Sequence, residues 1–161
     1  MTTTMDITLE INGEDRTLTV EPRTTLVDAL REACQLTGTH VDCGEGACGA
    51  CTILLDGAPV RACLMFAVQA SGARITTIEG LADGERLHPL QQALIDHHAT
   101  GCGYCTPGLL MLAAGALTRD PDMDEDALVR LLGANVCRCT GYHGVVRAMK
   151  AAQASMRSKP S

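Results

Sequence analysis

The spacing of apolar and polar residues divides the chain into a first half of short strands and a second half of helices. Met5–Ile11 alternates between the two classes, the pair Asn12-Gly13 follows, and residues 16–20 alternate again. Alternation on both sides of Asn-Gly is typical of a β-hairpin, because this pair tolerates the positive φ angles of a tight turn. The same pattern predicts a second hairpin, Thr52–Leu55 with residues 59–63 across Asp56-Gly57, and one more strand at residues 74–78.

Helical signals occur once in the first half and dominate the second. Thr24-Thr25 offers an N-cap to a helix whose apolar spacing extends to about Leu36. From residue 89 onward the sequence predicts four helices, with Pro in the first turn of two of them. These predicted helices cover residues 89–99, 106–119, 124–132 and 141–156. The short connections between them are typical of a helical bundle.

The pattern changes in a polar segment with two glycines at residues 79–86, and we place a domain boundary there. We expect an α+β chain, with a small sheet and one helix in residues 1–81 and a four-helix bundle in residues 82–161. Each half would be small, and the chain has no Trp, one Phe and two Tyr, so burial alone would leave both halves marginally stable. Metal centres commonly stabilise units of this size.

Composition and charge narrow the class of function. The net charge is −6 with no long basic run, which argues against a nucleic-acid-binding protein. The N-terminal residues lack the basic and apolar regions of a secretory signal, and no apolar run approaches the roughly 18 residues of a membrane span. We therefore expect a cytoplasmic protein, in which clustered cysteines stay reduced and bind metal.

Eight of the nine cysteines form two quartets with different spacing. The first quartet has the pattern C-x4-C-x2-C followed by a distant cysteine, and consists of Cys43, Cys48, Cys51 and Cys63. This is the plant-type ferredoxin spacing for a [2Fe–2S] cluster. Three glycines lie among the first three cysteines and allow the backbone to wrap closely around an anionic cluster. Structural zinc is the alternative that this quartet leaves open.

The second quartet has the pattern C-x2-C, a long gap and C-x-C, and consists of Cys102, Cys105, Cys137 and Cys139. Its first pair directly precedes the predicted helix at residue 106, and its second pair lies between the last two helices. Helix N-termini favour an anionic centre, because they present unpaired N–H groups and the positive end of a dipole. Alone this spacing also admits zinc, but next to a plant-type quartet it indicates a second cluster and an electron path.

In their local sequences the quartets resemble the small iron–sulfur subunit of the xanthine oxidase family, the molybdenum hydroxylases. The resemblance extends from about residue 5 to about residue 152 and rests on residues 43–51 with Cys63, on GYCTPG at residues 103–108 and on NVCRCTGY at residues 135–142. It implies a plant-type ferredoxin-like β-grasp domain followed by a four-helix bundle. It also implies two [2Fe–2S] clusters, one on each quartet.

The same resemblance implies partners. In this family the bundle cluster lies nearest a molybdopterin on a large subunit, and the ferredoxin-like cluster lies nearer FAD, usually on a medium subunit. The chain would thus be the electron-transfer subunit of a heteromeric enzyme, within a dimer of heterotrimers, with no substrate site of its own. One position departs from the family, which usually has Gln before the first cysteine of the second quartet. Gly101 stands there and cannot offer the pterin a side-chain hydrogen bond.

Two other functions remain open at this point, a free-standing two-cluster ferredoxin-like carrier and a zinc-stabilised structural module. The ninth cysteine, Cys34, lies on the apolar face of the first predicted helix, and we expect it in the core. His40 and His143 flank the quartets, but each cluster already has four cysteines, so we expect neither histidine to be a ligand. Tyr104 and Arg138 lie inside the second quartet's loops, where they could shield the cluster or tune its potential.

Overall fold

The computed structural model describes residues 3–157 as a five-stranded sheet with one short helix, followed by four longer helices. The strands are β1 (Met5–Ile11), β2 (Glu14–Val20), β3 (Thr52–Leu55), β4 (Ala58–Arg61) and β5 (Arg74–Thr76), in the order β2-β1-β5-β3-β4. β1–β2 and β3–β4 are antiparallel hairpins, and β5 joins them by pairing parallel to β1 and antiparallel to β3. Both predicted hairpins are confirmed, and all four turn residues have positive φ.

The helix of the first half is shorter than predicted. The Thr25 hydroxyl accepts a 3.2 Å hydrogen bond from the backbone N–H of Asp28, so the predicted cap is confirmed. Helix α1 (Leu26–Asp28) continues as one wide π turn, Ala29–Ala33. The predicted end near Leu36 is wrong, because Gln35 adopts a φ of 58° and a residue in the left-handed region ends a helix.

Two of the predicted strand ends are also too late. β4 ends at Arg61, and Cys63 lies in the following 3₁₀ turn, Ala62–Leu64, not on the strand itself. β5 ends at Thr76, and a second 3₁₀ turn, Ile78–Gly80, replaces the last predicted strand residues. The fourth cysteine of the first quartet is therefore presented by a turn.

The first apolar core lies between the sheet and α1. Its largest completely buried side chains are Leu9, Ile11, Leu26, Leu30, Ile53 and Ile75. Cys34 is buried in the same core, as predicted. The lone phenylalanine, Phe66, is 47% exposed, so aliphatic side chains fill this core almost alone.

The second half consists of α2 (Pro89–Asp96), α3 (Thr106–Arg119), α4 (Glu125–Leu132) and α5 (His143–Arg157). Asp124 caps α4 as predicted, since its Oδ1 accepts a 2.7 Å hydrogen bond from the N–H of Ala127. The four helices enclose a second core with Leu90, Leu109, Leu117, Leu128, Leu132 and Met149. Among residues 3–157 no helix has the length and apolar character to cross a membrane.

Helix α3 joins the two halves by packing against β3 and β4. Two glycines make this approach possible. A Cβ atom added to Gly108 would lie 2.3 Å from the carbonyl oxygen of Gly49, and one added to Gly115 would lie 2.7 Å from a methyl group of Leu54. The start of α3, which follows the first pair of the second quartet, therefore rests directly on the loop of the first quartet.

Candidate metal centres

The first quartet is held by a loop that has no regular structure from residue 38 to residue 51. Gly44, Gly46 and Gly49 all have φ angles between 68° and 83°, which fold this loop back on itself. The N–H of Cys48 points at the sulfur of Cys43 at 3.4 Å. This N–H and that of Glu45 lower the pKa of the Cys43 thiol to about 7. The loop thus stabilises negative charge on sulfur.

Cys51 is the enclosed member of this quartet. Burial, with smaller contributions from the neighbouring thiols of Cys63 and Cys48, raises the pKa of its thiol to about 11. A buried thiol of this kind ionises when a cation balances its charge, as a metal does. The same interactions show that the cysteine in the turn after β4 lies beside those in the loop.

The second quartet combines exposed and half-buried thiols. The N–H of Tyr104 and the side chain of Cys139 lower the pKa of Cys102. Burial raises the pKa of Cys105, the residue that precedes α3, to about 12, and the adjacent Cys137 contributes in the same direction. Burial opposes ionisation of Cys137 itself, but hydrogen bonds from Thr140 outweigh it and lower the pKa. All four sulfurs are therefore neighbours.

The chemistry of these donors fits an iron–sulfur cluster at each quartet. Four thiols without oxygen ligands select zinc or iron–sulfur centres over hard cations. A [2Fe–2S] cluster assigns two cysteines to each iron. The hydrogen bonds between thiols are consistent with this division, and weaker charge interactions also link the two pairs of each quartet. The hydrogen-bonded pairs are Cys43 with Cys48, Cys51 with Cys63, Cys102 with Cys139, and Cys105 with Cys137.

The two histidines beside the quartets both contact backbone carbonyls. His40 Nδ1 lies 2.7 Å from the carbonyl oxygen of Tyr104, and its ring stacks on the tyrosine ring with centroids 4.7 Å apart. The Tyr104 hydroxyl donates in return to the carbonyl of Val41 at 2.5 Å. These contacts, called the clasp below, hold the loop of the first quartet against the loop of the second. His143 Nδ1 lies 3.0 Å from the carbonyl of Gly141.

Gly101 is confined by the second quartet. A Cβ atom added there would lie 2.6 Å from the Cβ of Cys139, which is closer than two such atoms approach. With this backbone, the position accepts no side chain unless Cys139 moves.

A polar junction that the sequence analysis did not predict connects the two quartets. The backbone N–H of Val136 donates a 2.8 Å hydrogen bond to the carbonyl of Cys48. The completely buried Asn135 donates from Nδ2 to the carbonyl of Gly49 at 3.1 Å and accepts from Arg61 Nη1 at 3.0 Å. The available signal was an amide two residues before the C-x-C pair, which needs partners once it is buried.

Comparison with known families covers nearly the whole chain. Residues 9–76 match the family described as a 2Fe-2S iron–sulfur cluster binding domain, and residues 77–150 match the [2Fe-2S] binding domain family. The prediction of two [2Fe–2S] clusters on this chain is confirmed.

Two curated proteins are similar over most of their length. The chain is 46% identical over 155 residues to the nicotine 6-hydroxylase small subunit of Paenarthrobacter nicotinovorans, which covers 96% of this chain and 93% of that protein. It is 50% identical over 147 residues to caffeine dehydrogenase subunit gamma of Pseudomonas sp. (strain CBB1). This match covers 89% of this chain and 88% of that protein.

Solved structures show the same fold. Quinoline 2-oxidoreductase from Pseudomonas putida 86 matches with a TM-score of 0.90 and 46% identity, over 98% of this chain and 99% of that chain. Aldehyde oxidoreductase from Desulfovibrio gigas matches with a TM-score of 0.91 and 40% identity, over 97% of this chain and 18% of that longer chain. Cysteine spacing, both matched domains and the overall fold therefore agree that this chain belongs to the small iron–sulfur subunits of the xanthine oxidase family of molybdenum hydroxylases.

Proposed function

We propose that this chain carries electrons from a molybdopterin site on a large partner subunit, through two [2Fe–2S] clusters, to FAD on a medium partner subunit. The observation that carries this proposal is the junction, where Cys48 of the first quartet is hydrogen-bonded to the residue next to Cys137 of the second. A protein whose clusters only stabilised the fold would have no need to join their ligand residues so directly.

We assign one cluster to each quartet. Cys43, Cys48, Cys51 and Cys63 hold the first, and Cys102, Cys105, Cys137 and Cys139 hold the second. The pairwise thiol contacts and the N–H groups aimed at Cys43 and Cys102 support this assignment. Each cluster, when bound, accepts and releases one electron. The chain's own part is to supply the thiolates, to limit access of water and to fix the distance between the two centres.

We propose that residues 1–81 form a ferredoxin-like β-grasp domain and residues 82–161 a four-helix bundle. Two separate apolar cores support this division, one under the sheet and one among the helices. Ile78 and Leu81, at the boundary, pack against the helical core. Residues 1–2 and 158–161, at the ends of the two proposed domains, lie outside the described residues.

Exposure supports an order for the two clusters. Cys102 and Cys139 of the second quartet are exposed, so a partner's redox group can approach that cluster from outside the chain. We place the molybdopterin of the large subunit there, and FAD nearer the first quartet. The relatives named as a small subunit and as subunit gamma support a heteromer over a free-standing carrier. We further propose a dimer of heterotrimers in the cytoplasm.

The test is purification of the tagged chain from its native source, followed by metal, sulfide and flavin analysis. We expect co-elution with a molybdenum-containing and a flavin-containing subunit, and about four iron atoms and four labile sulfides per copy of this chain. Elution of the chain alone would favour the free carrier. Two zinc ions without sulfide would favour the structural module.

A further inference from the structure

We propose that Asn135 and Arg61 are positioning residues for the electron step between the two clusters. They hold in place the hydrogen bond between Cys48 and Val136, which is the direct connection between the two sets of ligands. This inference rests on the proposed function and adds to it the residues that set how well the two centres are connected.

The connection is short. It runs from Cys48 through its own carbonyl to the N–H of Val136 at 2.8 Å, and one peptide unit further it reaches Cys137. Only one non-covalent step therefore separates a ligand residue of the first quartet from a ligand residue of the second. Because electronic coupling falls steeply across non-bonded gaps, the length and occupancy of this hydrogen bond control the coupling.

Asn135 fixes the connection from both sides. Its Nδ2 donates to the carbonyl of Gly49, the residue after Cys48, at 3.1 Å. Its own backbone carbonyl accepts a 2.6 Å hydrogen bond from the Tyr142 hydroxyl, which in turn accepts from the N–H of Cys137 at 2.7 Å. The side chain thus holds one loop and the backbone holds the other.

Asn135 suits this position because it is completely buried and its amide uses both a donor and an acceptor. A Cβ atom on Gly49 would lie 2.2 Å from its Oδ1, so the two loops are already at closest approach. An apolar replacement would remove the hydrogen bonds of Asn135 to Gly49 and Arg61 and release the contact between the loops, while the carbonyl of Gly49 keeps its hydrogen bonds from Thr52.

Arg61 and Asn135 together form a clamp that holds the two loops in contact. From the end of β4 its Nη1 donates to Asn135 Oδ1 at 3.0 Å and also to the hydroxyl of Thr52, and its Nη2 donates to the carbonyl of Ala134 at 2.7 Å. A planar guanidinium makes these contacts simultaneously, which a lysine ammonium cannot do with the same rigidity. One side chain therefore ties the hairpin of the first quartet to the segment before the C-x-C pair.

The step that this clamp serves moves a single electron. With clusters bound, one electron would leave the centre held by the second quartet and the same electron would enter the centre held by the first. No proton moves and no bond is made or broken, so the distance and the intervening contacts determine the rate.

The experiment uses the complete purified complex with Asn135→Leu and Arg61→Lys, neither of which changes the charge of the chain. The matched control is Arg86→Lys, an exposed arginine that pairs with Asp83 away from the quartets. Iron and sulfide are measured first. Electron paramagnetic resonance then gives the magnetic splitting between the two reduced clusters, and freeze-quench records how fast the first cluster is reduced after the second.

We expect full iron and sulfide content in both variants, a changed splitting, and an intercluster rate that falls several-fold. The Arg86→Lys control should match the wild type. Wild-type splitting and rate in whichever variant keeps its iron would overturn the positioning role, as would loss of iron from both variants. If the wild type itself lacks two coupled clusters, the proposed function fails, and that result is distinct.

Discussion

The N–H of Val136 donates a 2.8 Å hydrogen bond to the carbonyl of Cys48, although the two residues come from opposite halves of the chain. Each lies in the loop that carries one cysteine quartet. The two loops therefore form one polar contact surface. This hydrogen bond distinguishes the chain from a protein in which two metal-binding domains follow each other without contact.

Replacing Cys105 by Ser should remove the second cluster and leave the first. The thiol of Cys105 is half-buried beside Cys137, and a serine hydroxyl is a much poorer iron ligand than a thiolate. We expect the iron content to fall from about four to about two atoms per chain, since each [2Fe–2S] cluster contributes two. Substrate should no longer reduce the first cluster, which should stay reducible from the flavin side.

The control is Cys34→Ala, which removes the ninth cysteine from the first core. Because Cys34 is buried and packs as a small apolar residue, we expect full iron and sulfide in this variant. Equal iron loss in Cys34→Ala and Cys105→Ser would show that the quartets are wrongly assigned. So would rapid reduction of two clusters by substrate in Cys105→Ser.

Replacing Gly108 by Ala should push α3 away from the first quartet's loop. The added Cβ would meet backbone atoms, the carbonyl oxygens of Gly49 and Ala50 at 2.3 and 2.8 Å, which cannot rotate aside. Overpacking of this kind destabilises by about 1–3 kcal/mol, so the melting temperature of the complex-bound chain should fall by several degrees. Gly133→Ala is the control, because its nearest neighbours lie 3.4 Å away or farther. Equal melting temperatures for both variants would refute the close approach.

Replacing Tyr104 by Phe should loosen the clasp between the loops without removing it. The ring can still stack on His40, but the hydrogen bond from the hydroxyl to the carbonyl of Val41 is lost. We expect the free energy of unfolding to fall by about 1 kcal/mol or less, the usual net contribution of one hydrogen bond. Tyr104→Ala, which also removes the stack, should be more destabilising. Amide hydrogen exchange of residues 40–43 measures both effects, and identical exchange in Phe and Ala variants would contradict the clasp.

Acidification should weaken the start of α2. His88 Nδ1 accepts a 3.2 Å hydrogen bond from the N–H of Leu90, and burial lowers the pKa of this histidine below its usual 6.5. The unfolded chain therefore binds the proton first, so stability is complete above pH 6.5 and is lost as the pH falls from there toward the folded pKa.

The matching variant is His88→Asn, because asparagine caps a helix at every pH. The difference in melting temperature between wild type and variant cancels the other titrating groups. We expect this difference to be constant above pH 7.5 or so and to shift against the wild type as the pH falls through 6.5. A constant difference from pH 5 to pH 8 would show that this cap does not titrate.

Local signals account for the elements that were predicted well. Asn12-Gly13 and Asp56-Gly57 mark their hairpins because few other pairs accept two positive φ angles in succession. Asp124 and Thr25 cap their helices because a short oxygen-bearing side chain can reach the free N–H groups there. In each case the partner lies within a few residues.

What the sequence did not predict depends on contacts between distant residues. The early end of α1 follows from the conformation of Gln35, a residue type with no strong preference for the left-handed region. Arg61 and Asn135 lie in different halves, and neither has a local partner that would indicate the junction. Spacing predicted which cysteines belong together, but only the fold placed the two quartets against each other.

In the proposed function, two coupled [2Fe–2S] clusters pass electrons through this chain. The most direct measurement is electron paramagnetic resonance of the fully reduced complex, with iron and labile sulfide determined on the same sample. We predict two distinct signals of equal intensity that split each other, with about four iron atoms and four sulfides per chain. A single signal, two signals without mutual splitting, or zinc in place of iron and sulfide would show that two coupled clusters do not pass electrons through this chain.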